Sequence, residues 1–271
     1  MDYQIRQWSE NDIPALTEIW CSVFGDPEPL ARKFLALLPK MGLAFVAEQD
    51  GVPVSVCYSV TGLTAEFVGY SCRCAYLYAV ATLPAHRGHG LAAALCRECA
   101  EAAVNTGCHF LYTRPDTAEL FSYYERVIGL SRISYCKTID APAAIDTRVH
   151  TIQPMSVSDY FEGRERFYAG RPHIVLSPEC LEYEKSLCLA YDGNLFSVDS
   201  IPVAAYIEGG RLVVREVCCP SQQMNAVISA LCSYVNQNSF SLRLPSDSGE
   251  LFIESNLEKS LSDFEWGIVF D

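Results

Sequence analysis

The alternation of apolar and polar residues predicts strands and helices in a mixed order along the first half of the chain. IRQWSENDIPALTEIWCSVF predicts a strand and then a helix, with Ser9 or Asn11 as its cap and Pro14 in its first turn. LAFVAEQDGVPVSVCYSV predicts a hairpin that turns at Asp50 and Gly51. SCRCAYLYAVAT predicts a long strand, and TGLTAEFVGYSC at its start predicts a long loop.

Helical spacing of apolar residues returns twice after this strand. Residues 90 to 106 predict a helix with Leu91, Leu95 and Cys99 on one face. HFLYT predicts a short strand, and AELFSYYERVI predicts a helix that Gly129 ends. The resulting order β, α, β, β, β, α, β, α combines hairpins with crossover helices, so we expect an α/β (α+β) fold with a mixed sheet.

Three weak matches in the same order indicate that the chain contains two copies of one domain. IRQWSENDI at residue 5 is similar to IQPMSVSDY at residue 152, and DGVPVSVCY at residue 50 to DSIPVAAYI at residue 199. ALC recurs at residues 94–96 and 230–232. Pro142 and the small residues of DAPAAIDTRVH are typical of a linker. We therefore expect a first domain over residues 1–140, a linker over residues 141–150 and a second domain over residues 151–271.

Length and composition narrow the class of protein. Half of the 271 residues are apolar, which is enough for each domain to bury its own core. No stretch approaches the roughly 18 apolar residues of a membrane span, and MDYQIRQWSENDI lacks the pattern of a signal peptide, so we expect a soluble, cytoplasmic protein with no membrane partner. The 13 cysteines lie in apolar segments and indicate reduced thiols, and with only five histidines we expect no metal site.

The net charge of −13 indicates which partners to expect. Nucleic-acid binding needs a basic surface, so we expect no nucleic-acid partner. An acidic protein attracts cations, so a cationic small molecule is favoured. Residues 1–146 hold 11 basic and 16 acidic residues, and residues 147–271 hold 9 and 17, which places more of the acidity in the second half. The sequence leaves the oligomeric state open.

The segment TLPAHRGHG, between the long strand and the helix after it, has the composition of an anion-binding loop. Gly88 and Gly90 let the backbone turn, the first N–H groups of the helix attract an anion, and Arg87 adds a charged donor. An ordinary loop before a helix is one alternative. A dinucleotide-binding turn is another, because GHGLAA fits G-x-G-x-x-A, although that pattern wants its first glycine directly after the strand and Gly88 stands seven residues beyond Ala81.

AVATLPAHRGHGLAAAL resembles the coenzyme A motif of the GNAT superfamily of N-acetyltransferases, whose core is R/Q-x-x-G-x-G/A. LFSYYERVIGL resembles the later helix of the same superfamily, and AVATLP is similar to bacterial tandem-GNAT proteins of the Eis-like type. The resemblance covers residues 3–138 directly and reaches the second half only through the repeat. It implies an acetyl-CoA-dependent N-acetyltransferase with two tandem GNAT-like domains, each a mixed, mostly antiparallel sheet flanked by helices.

The resemblance also implies roles for the residues that match its motifs. The backbone of three residues would pair with the pantetheine arm, and the amides of six more would bind the pyrophosphate of acetyl-CoA. In order, these cofactor-binding residues are Ala79, Val80 and Ala81, and then Arg87, Gly88, His89, Gly90, Leu91 and Ala92. Tyr124 would protonate the departing thiolate as the catalytic acid, since a phenol with a pKa of about 10 is protonated at neutral pH. Tyr123 is the alternative, because one extra residue separates Tyr124 from Gly129 relative to the family pattern.

The base that deprotonates the amine and the acceptor itself stay open. Glu66 in the predicted loop and a chain of waters are alternatives for the base, and some Eis-like relatives suggest the terminal carboxylate of Asp271. We expect a small cationic amine as the acceptor. Alternatives are transfer of another acyl group, transfer onto a protein amine, a non-catalytic acyl-CoA sensor and a scaffold that uses the second copy as its interaction surface.

The second copy is expected to be degenerate. At an offset of 136 residues, Arg87 to Gly90 align with Gln223 to Ala226, so the arginine and both glycines are missing. A loop without them cannot turn as tightly or offer the same charge, and we expect the second copy not to bind coenzyme A.

Overall fold

The computed structural model describes residues 2–144, 148–256 and 264–266. The chain divides into two compact units. Unit 1 takes in residues 2–65, 70–134 and 251–256, and unit 2 takes in residues 66–69, 135–250 and 264–266 with the same gap at 145–147. Within the described residues, no helix is long and apolar enough to cross a membrane.

The helices and strands are, in chain order, β1 (Gln4–Gln7), α1 (Ile13–Phe24), α2 (Glu28–Met41), β2 (Gly42–Gln49), β3 (Val52–Phe67), β4 (Tyr70–Thr82), α3 (Leu91–Asn105), β5 (Phe110–Thr113), α4 (Ala118–Ile128), β6 (Arg132–Pro142), β7 (Ile152–Pro154), α5 (Val157–Tyr168), β8 (His173–Leu176), α6 (Pro178–Ala190), β9 (Asn194–Val198), β10 (Ile201–Glu208), β11 (Arg211–Val217), α7 (Ser221–Tyr234), β12 (Ser239–Ser246) and β13 (Glu250–Ser255).

The sheet of unit 1 runs in the order β1-β2-β3-β4-β5-β13. Strands β1 and β2, and β2 and β3, pair antiparallel, whereas β4 and β5 are parallel, from Cys74 opposite Phe110 to Leu77 opposite Thr113. The strand β13 comes from the far end of the sequence and pairs antiparallel with β5. Helices α3 and α4 cover one face of this sheet with a continuous apolar cluster, in which each fully buried leucine contributes about 1.5–3 kcal/mol.

The sheet of unit 2 runs in the order β6-β12-β11-β10-β9-β7, and α7 packs on it through a second apolar cluster. Strands β9 and β10, and β10 and β11, pair antiparallel, whereas β11 and β12 are parallel. The order β7, α5, α6, β9, β10, β11, α7, β12 repeats the order β1, α1, α2, β2, β3, β4, α3, β5 of unit 1, with β8 as an addition. The two units therefore share one arrangement of elements.

The prediction of a mixed α/β fold is confirmed, and the hairpin turns at Asp50 and Gly51 as expected. The sequence reading missed α2, which follows α1 after three residues. The loop predicted over TGLTAEFVGYSC is wrong, because β3 extends to Phe67 and β4 begins at Tyr70, which places Glu66 inside a strand. The domain limits at residues 140 and 150 stay a prediction.

The alignment of the two copies around the glycine loop is also wrong. Gln223 to Ala226 lie inside α7, so they are not the counterparts of a loop. The structural counterpart of residues 83–90, which join β4 to α3, is the stretch 218–220 between β11 and α7. The connection from β11 to α7 has three residues, whereas the connection from β4 to α3 has eight. A constant offset of 136 residues therefore cannot align the two loops.

Strand β13 carries a buried carboxyl group. Glu254 on β13 lies opposite Thr113 of β5 and is 2% exposed, and its Oε2 atom has no hydrogen-bond partner among the described residues. Burial, with a smaller effect of the nearby Glu125, raises the pKa of Glu254 from 4.5 to about 7. Because burial penalises the charged form, the native state holds this proton to a higher pH than the unfolded chain does.

This carboxyl group predicts a loss of stability as the pH rises. The raised pKa means that its contribution to the free energy of unfolding is fully present below pH 4.5 and is lost as the pH rises through about 7. We expect Glu254→Gln to become more stable than the wild type by roughly 1–3 kcal/mol between pH 5 and 8. Urea unfolding at both pH values measures this difference. The exposed Glu101→Gln on α3 is the control, and an equal pH dependence in Glu254→Gln and the wild type would contradict the assignment.

Candidate functional site

The carboxyl-terminal part of β4 runs on beyond its parallel neighbour. The pairing of β4 with β5 ends where Leu77 faces Thr113, and the Oγ1 of Thr113 donates to the Leu77 carbonyl at 3.0 Å. Ala79 then adopts φ +48°, a left-handed conformation that is rare for a residue with a side chain and interrupts the extended strand. Because β5 ends at Thr113, opposite Leu77, residues 78–82 of β4 extend beyond the end of β5. This leaves a cleft at the carboxyl ends of two parallel strands, where ligands bind in α/β sheets.

The three strand residues predicted to contact the cofactor do not all face this cleft. The N–H of Leu83 donates to the carbonyl of Val54 at 3.0 Å, and Ser55 Oγ donates to the carbonyl of Ala81 at 2.9 Å. Since alternate residues of a strand direct their N–H and C=O groups to opposite sides, Ala81 and Leu83 face β3. Val80, which directly precedes Ala81, therefore faces the cleft.

The loop after β4 depends on two glycines in the left-handed conformation. A short 3-10 turn at Pro84–His86 leads into Gly88 at φ +83° and Gly90 at φ +74°, and Gly90 is the residue that precedes the first turn of α3. A Cβ atom added to either glycine would meet none of the described residues within 4 Å. These positions therefore require glycine for the backbone conformation rather than for space.

The loop and the start of α3 present a row of unused backbone donors. Within the described ranges, the N–H groups of residues 88–93 have no acceptor in the protein, and the first bond of the helix runs from the Ala94 N–H to the Gly90 carbonyl at 3.1 Å. Leu91 and Ala92 supply two of these donors, and no side chain of the described part of the chain caps the helix. Arg87 is exposed and its Nε donates to the Thr82 carbonyl at 3.1 Å. Together with the helix dipole, these groups give the loop the chemistry that favours binding of an anion.

His89 contributes little beyond its backbone. Its ring lies 5.5 Å from the ring of Tyr3, measured between centroids, and the Tyr3 hydroxyl lies 3.1 Å from Nδ1 of the neighbouring His86. These contacts hold the loop against Tyr3 near the start of the chain.

Helix α4 carries both candidate tyrosines to the apolar cluster under α3. Tyr124 is 7% exposed and belongs to the cluster, as does Leu91, whereas Tyr123 packs against its edge and is half-buried. Val80 packs against the same cluster, so the structure brings the tyrosines, the cleft strand and the start of α3 together. Burial raises the pKa of Tyr123 to about 12 and raises the pKa of Tyr124 further. Both phenols are therefore protonated at neutral pH.

The opposite face of β4 holds an aromatic cluster that the sequence reading missed. Tyr76 stacks on Tyr112 with ring centroids 4.9 Å apart, and Tyr78 lies 5.4 Å from Phe34 and 5.7 Å from Trp20. Tyr78 is half-buried and directly precedes Ala79, so the cluster reaches the strand interruption. The signal was present in the alternation of tyrosines in CAYLYAVAT, which places Tyr76 and Tyr78 on one face.

The remaining candidates are less informative. All 13 cysteines are free thiols, and 11 of them are buried. Among the described residues, no cluster of histidine, cysteine, aspartate or glutamate could hold a metal ion. Glu66 lies within β3, and Asp271 lies outside the described residues.

Comparison with known proteins places this site in a family context. Residues 8–130 match the Acetyltransferase (GNAT) family, and they contain the cleft strand, the glycine loop and both tyrosines. None of the curated proteins matches the chain.

Solved structures match nearly the whole chain at low identity. A GCN5-related N-acetyltransferase from Kribbella flavida is 12% identical, with a TM-score of 0.69 over 94% of this chain and 70% of that chain. Eis1 from Mycobacterium abscessus is 16% identical, with a TM-score of 0.62 over 94% of this chain and 74% of that chain. A putative acetyltransferase from Pyrococcus horikoshii is 10% identical, with a TM-score of 0.63 over 98% of this chain and 94% of that chain. These structures show that both units follow the fold that the sequence resemblance implied.

Proposed function

We propose that the protein, an N-acetyltransferase whose residues 8–130 match the Acetyltransferase (GNAT) family, transfers the acetyl group of acetyl-CoA directly to a small cationic amine. The observation that carries the proposal is the row of unused N–H donors at residues 88–93 beside the end of β4. A diphosphate matches these donors in charge and in hydrogen-bonding capacity.

The residues of the cleft fit acetyl-CoA as the cosubstrate. The loop amides and Arg87 would hold the pyrophosphate, and the backbone of Val80 would pair with the pantetheine arm along the open edge of β4. Ala79 sets this edge by interrupting the strand, and Ala81 acts from the other side by fixing β4 to Ser55. In this proposal, Val80, Arg87 and the loop amides contact acetyl-CoA. Ala79 and Ala81 hold β4 in position.

The chemistry proposed is a single displacement. The nitrogen of a neutral amine attacks the thioester carbonyl, a C–N bond forms and the C–S bond breaks. The Val80 N–H would donate a hydrogen bond to the oxyanion. The departing thiolate takes a proton from Tyr124, or from Tyr123, and the amine proton passes to water.

The aromatic cluster supports a cationic acceptor. A protonated amine is attracted to the face of a tyrosine ring, and the half-buried Tyr78 lies on the cleft strand itself. The net charge of −13 concentrates cations near the protein in the same way. A second, uncharged amino group of the acceptor would then be the one that attacks.

We propose that unit 2 has no second cleft for acetyl-CoA. Its connection from β11 to α7 has three residues, one of which is Pro220, against eight in unit 1. A proline lacks an N–H group, and three residues cannot wrap a diphosphate. We propose that unit 2 is the degenerate copy and that acetyl-CoA binds to unit 1 alone.

Release of free thiol from acetyl-CoA in the presence of an amine panel tests the proposed function. We expect turnover with aliphatic diamines and polyamines, and at least about tenfold lower kcat/KM with an uncharged aromatic amine of similar size. Calorimetric binding of coenzyme A without turnover of any amine would instead support an acyl-CoA sensor. Turnover only with peptides that carry a free amino terminus would move the acceptor to a protein, and turnover only with a longer acyl-CoA would change the donor.

A further inference from the structure

Unit 2 contains a cavity of about 300 Å³ at the carboxyl end of its parallel strand pair. The pairing of β11 with β12 ends where Val214 faces Leu242, and the cavity lies just beyond, between the last residues of both strands and the start of α7. Its place in unit 2 corresponds to the place of the cofactor cleft in unit 1. The volume lies at the small end of the range for ligand pockets, about 300–1,000 Å³.

The net charge of the cavity lining has the opposite sign to the net charge of residues 147–271. Residues 147–271 carry 9 basic and 17 acidic residues, yet the cavity is lined by three arginines and two glutamates. The three arginines are Arg171, Arg215 and Arg243, and the two glutamates are Glu216 and Glu265. The lining therefore holds one positive charge in excess.

Two of the charged lining residues form ion pairs with buried residues that do not line the cavity. Arg215 is 5% exposed and forms an ion pair with the fully buried Glu184. Glu216 accepts hydrogen bonds from Arg164 Nε at 2.9 Å and from the Tyr160 hydroxyl at 2.7 Å. These buried pairs fix the wall of the cavity, because breaking either would leave an uncompensated buried charge.

Arg171 is an exposed lining residue that is available to a ligand. It is exposed, and its guanidinium carbon lies 4.5 Å from the centroid of the Phe167 ring. Among the described residues, its guanidinium has no carboxylate partner. Stacking on an aromatic ring holds a guanidinium flat and leaves its N–H groups free to bind a carboxylate in the bidentate manner.

Apolar side chains complete the lining. Tyr168, Val217, Met224 and Leu242 contribute to it, and the N–H of Ser221 in the first turn of α7 adds a donor that has no acceptor among the described residues. An apolar body with a single anionic group fits this combination of surfaces.

We infer that unit 2 binds a small organic carboxylate with an apolar body in this cavity, with Arg171 as the residue that recognises the carboxylate. The proposed site of unit 2 thus lies at the same place in the shared fold as the cleft of unit 1. It is lined by arginines, whereas unit 1 has the glycine loop there. This second site does not depend on the proposed reaction of unit 1.

Calorimetry on the full chain with phenylacetate and its neutral isostere phenylacetamide tests the inference. We expect phenylacetate to bind with a dissociation constant of about 1 mM or lower, and phenylacetamide at least about tenfold more weakly. Arg171→Gln should weaken phenylacetate binding about tenfold and leave phenylacetamide unchanged. Saturating acetyl-CoA should not change either affinity, which separates this site from the cleft of unit 1.

Arg211→Gln is the matched control, because Arg211 is an exposed arginine at the opposite end of β11, where it pairs with Asp140. Equal affinities for the acid and the amide would overturn the inference, as would the absence of heat up to about ten times the expected dissociation constant. An equal loss in Arg211→Gln and Arg171→Gln, or displacement of phenylacetate by acetyl-CoA, would overturn it as well.

Discussion

Replacing both Gly88 and Gly90 by alanine is expected to raise the KM for acetyl-CoA about 100-fold, with each single replacement raising it about tenfold. Both residues are in the left-handed conformation, which costs an alanine roughly 1–2 kcal/mol. The space around each Cβ position is open, so no clash prevents folding. The loop will instead relax to a conformation with negative φ, and its N–H groups will no longer converge on one anion. Initial rates at varied acetyl-CoA concentration measure the effect.

Gly25→Ala is the matched control for this experiment. Gly25 ends α1 at φ +79°, and an added Cβ atom there also meets nothing within 4 Å. The control should therefore lose a similar amount of stability, about 1 kcal/mol, and keep its KM for acetyl-CoA. An unchanged KM in the double variant would contradict the assignment of the loop as the pyrophosphate site.

The glycine loop could be predicted from the sequence because its determinants are local. The proline, the two glycines and the apolar spacing of the helix after them all lie within one short stretch, and each has a direct conformational meaning. The strand was expected to end near Ala81 and the helix to begin near Gly90, and they do so at Thr82 and Leu91. Local signals also gave the hairpin at Asp50 and Gly51.

Helix α2 was missed because its local signals conflict. Pro27 and Pro29 at its start and Pro39 near its end suggest turns, yet Pro29 lies in the first turn, where a proline is tolerated. The helix is stabilised by burial of Leu30, Phe34 and other apolar residues against the rest of unit 1 rather than by a side-chain cap. Tertiary packing of this kind is not visible in a single sequence.

Other features depend on pairing between distant segments. The insertion of β13 beside β5 joins residues about 140 positions apart, and no pattern in either segment specifies it. The difference between Val80 and Ala81 has the same origin, because it depends on the bond from Ser55 on the neighbouring strand. Spacing identified the correct stretch of β4, but only the pairing shows which backbone groups face the cleft.

The choice between the two tyrosines also requires the structure, and it leads to the second large effect. Tyr124→Phe is expected to lower kcat about 100-fold, because in the proposed mechanism the buried phenol donates a proton to the departing thiolate. The KM for acetyl-CoA should stay within about threefold, since the ring remains in the apolar cluster. Tyr123→Phe should lower kcat by less than about threefold, because its half-buried ring lies at the edge of that cluster.

The pH dependence provides an independent test of the same assignment. A donor acts in its protonated form, and burial raises the pKa of Tyr123 to about 12 and shifts that of Tyr124 in the same direction. The wild-type kcat should therefore show no alkaline decline up to about pH 10, the ordinary pKa of a phenol. The exposed Tyr70→Phe, at the other end of β4, serves as the control and should leave kcat unchanged. A loss in Tyr123→Phe alone would transfer the role to Tyr123, and full activity of both variants would show that the thiolate leaves without a tyrosine donor.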